Sequence, residues 1–198
     1  MRKTIAAVVV LGLAWGGYVA WPLYDLYMLV RAFEMRDVET VKRYVYFDSV
    51  RRSLAQQIVA AYVRRSGTQV SPLVQSMAGA AFAIADPIVA KVISAEALSE
   101  FLTTGWPVTV VPEVPKDAIG ISSKSLGNAW QVFVASEYGL ARFDVALPRS
   151  VPPPQRFGLE FKLLQWRWRL TAVLLPEGIQ NVLADELVKA MKAPGRKQ

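Results

Sequence analysis

The chain has 198 residues, 53% of them hydrophobic, with no Cys and no His. Its 23 Lys plus Arg against 16 Asp plus Glu give a formal charge of +7. This inventory excludes a Ser-His-Asp triad, a Cys nucleophile, a disulfide and any metal or haem held by thiolate or imidazole, leaving carboxylate, Lys, Ser/Thr or Tyr chemistry.

The charge is concentrated at the ends. Arg2 and Lys3 precede the first apolar run, and Lys189, Lys192, Arg196 and Lys197 lie in the last ten residues, where no acid occurs. Without these six, 17 basic residues face the same 16 acidic ones over positions 4–188. A nucleic-acid module carries its charge as a stripe on one face; a nearly neutral body with basic ends argues against nucleic acid as a partner.

No charged residue occurs from Thr4 to Trp21. At 1.5 Å per residue this stretch reaches about 27 Å, close to the ~30 Å hydrocarbon thickness of a bilayer. Trp15, Tyr18, Trp21, Tyr24 and Tyr27 gather at its far end, where amphipathic rings favour the headgroup level. Residues 1–21 therefore read as a transmembrane anchor or signal segment, with Arg2 and Lys3 on the cytoplasmic side and the remainder periplasmic. A cleaved signal peptide is the alternative, with small residues at Ala14 and Gly16. The apolar run exceeds the usual ~7–15 residues of such a segment, and Pro22–Val30 continues into a helical pattern with no polar linker, so an uncleaved anchor is expected.

Residues 22–105 form a helical part. Pro22 suits a first turn, and Leu23, Leu26, Tyr27, Val30 and Phe33 recur at helical spacing with Asp25, Arg31 and Glu34 between them. Asp37 is placed to cap a short helix carrying Val38, Val41 and Tyr44. Asp48 is placed to cap a third, with Val50, Leu54, Ile58 and Tyr62 as its apolar stripe and Arg64, Arg65 and Gly67 at its end. Ser71-Pro72 and Asp86-Pro87 bracket Leu73–Ala85, whose Ala/Gly core is too short to span a membrane and suits close packing or a membrane surface. Ser94 begins another helix, burying Ala97, Leu98, Phe101 and Leu102 and ending at Gly105.

After Trp106-Pro107 the period becomes two, and residues 106–176 read as the sheet part of the same domain. Ala129–Ser136 reads as a strand with Trp130, Val132 and Val134 on one face, and Leu140–Leu147 as its partner, with a turn at Glu137-Tyr-Gly139. A proline-rich loop (148–154) leads to two more strands. In the first, Phe157, Leu159, Phe161 and Leu163 face inward. In the second, Trp166, Trp168, Leu170, Ala172 and Leu174 do so against Arg167, Arg169 and Thr171. Period two separates Trp from Arg in 166–169, so this run reads as a half-buried strand rather than a platform for single-stranded nucleic acid. Residues 177–198 read as a C-terminal helix and basic tail.

Catalytic constellations are thin. Ser122-Ser123-Lys124 brings hydroxyls near an amine, but no Ser-x-x-Lys occurs and nothing nearby in sequence activates the lysine. Glu96 with Glu100, and Asp185 with Glu186, are carboxylate pairs of the kind solvated helix faces carry routinely. There is no phosphate loop, dinucleotide fingerprint or EF-hand pattern. No catalytic residue, metal ligand or cofactor is assigned, and the chain reads as non-enzymatic.

Tyr24-Asp25-Leu26-Tyr27, Ala32, Arg36-Asp37, Val45, Phe47 and Val50-Arg51-x-x-Leu54-x-x-Gln57 resemble the opening of the bacterial family called domain of unknown function 2939. Asp86-Pro87, Glu96, Trp168-Arg169-Leu170 and Leu175-Pro176 resemble its continuation, so that the likeness runs over residues 20–176. The prolines at 152–154 and the helix after 177 depart from it. The resemblance implies an N-terminally anchored envelope protein of gram-negative bacteria and supplies no activity or catalytic residue.

The expected architecture is α+β: an N-terminal transmembrane helix, then helices packed on a curved four-stranded antiparallel sheet, analogous in layout to cystatin-like or nuclear-transport-factor-like folds. Two functions compete: a tethered module that binds a protein partner, and a small-molecule or lipid-binding domain with an apolar pocket lined by Trp130, Phe143, Phe161 and Trp168. A Ser- or carboxylate-based hydrolase ranks third.

Overall fold

The computed structural model describes residues 2–66, 89–116, 118–127, 129–134 and 136–192. The Ser71-Pro72, Asp86-Pro87 and Leu73–Ala85 features lie outside them, as do Gly67 and the tail after Lys192. The elements are α1 (Arg2–Met35), α2 (Val38–Tyr44), α3 (Phe47–Ser66), α4 (Ala95–Thr104), α5 (Ser123–Leu126), α6 (Ala129–Val134), β1 (Glu137–Tyr138), β2 (Arg142–Leu147), β3 (Phe157–Leu164), β4 (Arg167–Leu174) and α7 (Glu177–Lys192). The strands form one antiparallel meander in the order β1-β2-β3-β4, so the architecture is the expected α+β.

Helix α1 is a single piece. Its first half exposes Ile5, Val8, Leu11, Leu13 and Trp15, whereas its second half buries Leu26, Leu29, Val30, Ala32 and Phe33. It is the one helix among the described residues long and apolar enough to cross a membrane. Pro22 lies inside this helix rather than starting a new one. The buried stripe is also rotated from the expected one: Leu29 and Ala32 join it, Tyr27 faces outward, and Asp25 is buried.

The N-terminal caps form as local chemistry dictates. Asp37 accepts from the Thr40 amide at 3.1 Å, and Ser94 accepts from Ala97 N–H at 3.0 Å. Helix α4 ends on Gly105 in the left-handed conformation, φ +72°. Helix α3 begins at Phe47, two residues earlier than a cap at Asp48 implies, so Asp48 sits in its first turn. It packs Val50, Leu54, Ala55, Ile58 and Val59 into the core.

The sheet turns Phe143, Val145, Leu147, Phe157, Leu159, Phe161, Trp168 and Leu170 towards the helices. Arg142, Asp144, Glu160 and Lys162 form an ion-pair network on its outer face. Three expectations for this half are corrected. Residues 129–134 are helical, not a strand. Helical geometry aims Val132 into the core and stacks Trp130 on Phe133, three residues away, with ring centroids 5.2 Å apart. The short strand beside β2 is instead Glu137–Tyr138, where a turn was expected, and the chain reverses at Gly139, whose N–H donates to the Arg142 carbonyl at 2.7 Å.

The third correction concerns β4. Trp166 is not inward-facing. With Gln165 it forms the β3–β4 turn, both at positive φ (52° and 60°), and it is 81% exposed. Further along, Phe161 pairs with Leu170 and Glu160 with Ala172, so Thr171 is an extra residue. Such a bulge inverts the alternation: Thr171 and Val173 become buried, and Leu174 faces out.

Candidate functional site

The four residues expected to line a pocket occupy two different environments. Phe143, Phe161 and Trp168 are fully buried in the core. Trp130 is 66% exposed on α6, beside a shallow surface depression shared with Gln131, Val134, Arg149 and Arg156. Three of the four belong to one aromatic row that runs inward from the surface. Trp130 stacks on Phe133, Phe133 on Tyr138 (5.3 Å), Tyr138 on Phe143 (5.0 Å) and Phe143 on Phe161 (5.8 Å). Trp168 stands apart from that row, edge-on to Tyr18 of α1 at 6.3 Å.

A cleft of about 380 Å³ lies instead at the end of the sheet that carries the β2–β3 loop. Its walls include Trp106, Pro115, Ile119, Phe157, Pro176 and Ile179, and Glu177 is the only charged residue among its described lining. Tight backbone crossing fixes one wall. A Cβ on Gly120 would stand 1.9 Å from the Thr103 carbonyl oxygen, and Ile121 N–H donates to the Leu102 carbonyl at 2.6 Å. Phe157 is held edge-on to Phe101 at 5.7 Å, and the Trp106 indole N–H is committed to the Val111 carbonyl at 3.0 Å. The surface offered is apolar and stiffened by proline, suited to hydrophobic contact. In the sequence, the Trp106-Pro107 break, the proline-rich loop at 148–154 and Leu175-Pro176 fall in this region, each in a separate segment.

Ser122, Glu96, Asp185 and Glu186, among the hydroxyls and carboxylates that could act as catalytic groups, are engaged in local structure. Ser122 and Ser125 form a reciprocal capping box on α5, and the Ser123 amide donates to Glu34 at 2.7 Å. Glu96 sits in the first turn of α4, where hydrogen bonds from its own backbone and from Ser94 hold its carboxyl below the ordinary range, opposite to what a general acid needs. Asp185 pairs with Arg65 at 2.8 Å and Glu186 with Lys189 at 2.6 Å. Among the described residues no cluster of three or more acidic side chains could hold a metal ion.

One buried polar group was missed. Asp25 is 4% exposed and accepts from the Trp168 backbone N–H at 3.2 Å. Burial pushes its carboxyl above the ordinary value of 3.8, against the opposing pull of that N–H, the Arg167 charge and Trp21. Its place between two apolar neighbours, Tyr24 and Leu26, was the available signal.

No curated protein and no solved structure matches the chain. The match found is to a family model that takes in α1 from residue 11 onward, α2, α3 and most of α4 and stops before the sheet: residues 11–101 carry the pattern of the family described as Protein of unknown function (DUF2939).

Proposed function

We propose that the protein is a non-enzymatic module tethered to the inner membrane by residues 4–21, with its N-terminus cytoplasmic and its α+β domain on the periplasmic side, where it binds a protein partner. The observation that carries the tether is the continuity of α1. The same helix exposes an apolar run at one end and supplies core residues at the other, so anchor and domain are joined without a linker. The orientation rests on Arg2 and Lys3 flanking the run. The partner reading is supported by the apolar cleft around Trp106, Ile119 and Ile179. That cleft lies at the end of the sheet opposite the β1–β2 and β3–β4 turns. The non-enzymatic reading is supported by the local hydrogen-bond and ion-pair roles of Ser122, Glu96, Asp185 and Glu186.

The size of the cleft favours a second reading. At about 380 Å³ it falls within the ~300–1,000 Å³ range of small-molecule sites, so a small apolar ligand is the alternative occupant. Native mass spectrometry of the full chain extracted from membranes separates the two. A stoichiometric protein that is lost in an Ile119→Arg variant supports the first reading, and a bound small molecule lost in the same variant supports the second. For topology, a reporter fused after Gln198 should be active on the periplasmic side; activity confined to the cytoplasm overturns the orientation.

A further inference from the structure

The end of the sheet nearest the apolar helix exposes large hydrophobic side chains. The β1–β2 turn carries Leu140, 93% exposed, and the β3–β4 turn carries Trp166, 81% exposed. Register places both turns at one end of the meander: Arg142 pairs with Lys162, and Leu163 N–H donates to the Ala141 carbonyl at 3.0 Å. In water, a leucine and a tryptophan at two neighbouring turns gain nothing from burial, and neither turn uses Asn or Gly at its most exposed position.

Their depth relative to α1 is set by direct contacts. The Tyr18 hydroxyl donates to the Leu140 carbonyl. Trp15, Tyr18 and Val19 from α1 face Phe133, Tyr138 and Leu140 across a mostly apolar cleft of about 440 Å³. Tyr18 lies within the uncharged run 4–21, three residues from its end, so Leu140 sits at the level where that run terminates. Trp166 is two residues from Trp168, whose backbone is bound to Asp25 and whose ring meets Tyr18. Trp166 thus lies in the turn just before β4, at the same end of the meander as Leu140 and beyond the level of Asp25.

We propose that this end of the domain is a membrane-seated face: Leu140 and Trp166 enter the headgroup region of the bilayer that α1 crosses, and lipid chains fill the cleft between α1 and the β1–β2 turn. The inference rests on the anchor reading, and the bilayer is the occupant because the patch is continuous with the spanning helix. Trp at the acyl–headgroup boundary and an apolar residue just below it are the arrangement that interfacial anchoring favours. The domain is then held by three points rather than one, its orientation is fixed, and the Trp106 cleft faces away from the membrane.

The absence of native Cys makes single-site labelling clean. The full chain is reconstituted in phosphatidylethanolamine/phosphatidylglycerol vesicles as Val9→Cys, Leu140→Cys, Trp166→Cys and Glu177→Cys variants. Each carries a nitroxide probed with oxygen, which partitions into lipid, and with a water-soluble nickel chelate. The expected result is several-fold greater relaxation by oxygen than by nickel at 9, the reverse at 177, and at 140 and 166 an oxygen-to-nickel ratio between these two and several-fold above that at 177. Lipid exposure at 9 with water exposure at 140 and 166 overturns the seated face while leaving the anchor intact. Water exposure at 9 overturns the anchor and the seated face together. Protection of 140 and 166 from both relaxants means that protein covers them, which also overturns the proposal.

Discussion

The two edges of the sheet are closed by different means. Along β4, the N-terminal helices reach the strand at three successive points. Asp25 of α1 accepts from Trp168 N–H; Tyr46, between α2 and α3, donates to the Leu170 carbonyl at 2.9 Å. The Gln57 amide of α3 then donates to the Val173 carbonyl at 2.7 Å and accepts from Leu175 N–H at 2.8 Å. Val45 adds a parallel bridge to Leu170. The β1 edge is shortened to two residues and covered by rings, with Phe133 of α6 on Tyr138. An edge strand left with free N–H and C=O groups invites pairing with another chain. One edge is therefore closed by the side chains of Asp25 and Gln57 and the backbone at Val45 and Tyr46, which together imitate a neighbouring strand, the other by brevity and aromatic cover. Asp25, Val45 and Gln57 all fall within the matched family segment. Their geometry gives them a structural role, the closing of β4.

The difference implies opposite responses to removal of polar atoms, and Gln57 is where the largest effect is expected. Gln57→Leu keeps similar bulk but leaves the Val173 carbonyl and Leu175 N–H without a partner. Each orphaned group costs about 1–3 kcal/mol when buried; with Gln57 only part-buried, the variant should lose roughly 2–4 kcal/mol. Thermal unfolding of the full chain in nanodiscs measures this. A loss below about 0.5 kcal/mol would mean that water serves those groups equally well and that Gln57 does not close the edge.

Asp25 should have a smaller effect with a pH signature. Asp25→Ala removes the acceptor for Trp168 N–H and should cost about 1–3 kcal/mol. Asp25→Asn retains an acceptor and removes the buried charge. The folded carboxyl titrates above its ordinary value because burial disfavours the anion, so folding favours the protonated form. That contribution is fully present below the unfolded pKa of about 3.9 and disappears as pH rises through the folded value. The wild type should therefore lose stability relative to Asp25→Asn between pH 4 and pH 7. A stability difference between the two that does not change with pH would show that the carboxyl titrates normally and is not desolvated.

What could be read from sequence was what is decided within one turn of chain. Caps at Asp37 and Ser94 and the alternation of β2 and β3 depend on near neighbours and formed as expected. Helical spacing sets Asp25 apart from the apolar stripe and cannot show its burial, because its acceptor role depends on Trp168, 143 residues away. Thr171 inverted β4 because a bulge is a property of two paired strands and leaves no trace in one. Residues 129–134 satisfy period two as well as a short helix does, and the choice was settled by β1 occupying the place beside β2. The aromatic residues proposed as a pocket lining show the same limit: alternation identified Phe143, Phe161 and Trp168 as inward-facing, and packing density decided that inward meant core. The cleft lined by Trp106 and Ile179 joins three separate chain segments, and no single one of them carries a pattern that foretells it.

At the β1 edge the expected effect is smallest and of opposite sign. Tyr138 buries its hydroxyl without a hydrogen-bond partner, and burial pushes the phenol up to about 12. Tyr138→Phe keeps the ring contacts with Phe133 and Phe143 and removes the unsatisfied oxygen. Stability should rise by up to ~1 kcal/mol, whereas every polar deletion along β4 lowers it. The alkaline limb gives an independent reading. Because the folded phenol titrates above the unfolded value of about 10, folding favours the neutral form; its contribution is complete below pH 10 and is lost as pH climbs towards 12. The Phe variant lacks that loss, so its advantage over the wild type should widen across this window. An advantage that stays constant, or a variant less stable than the wild type at neutral pH, would show that the hydroxyl does have a partner. The β1 edge would then be closed by a polar contact after all, and the contrast with β4 would fall.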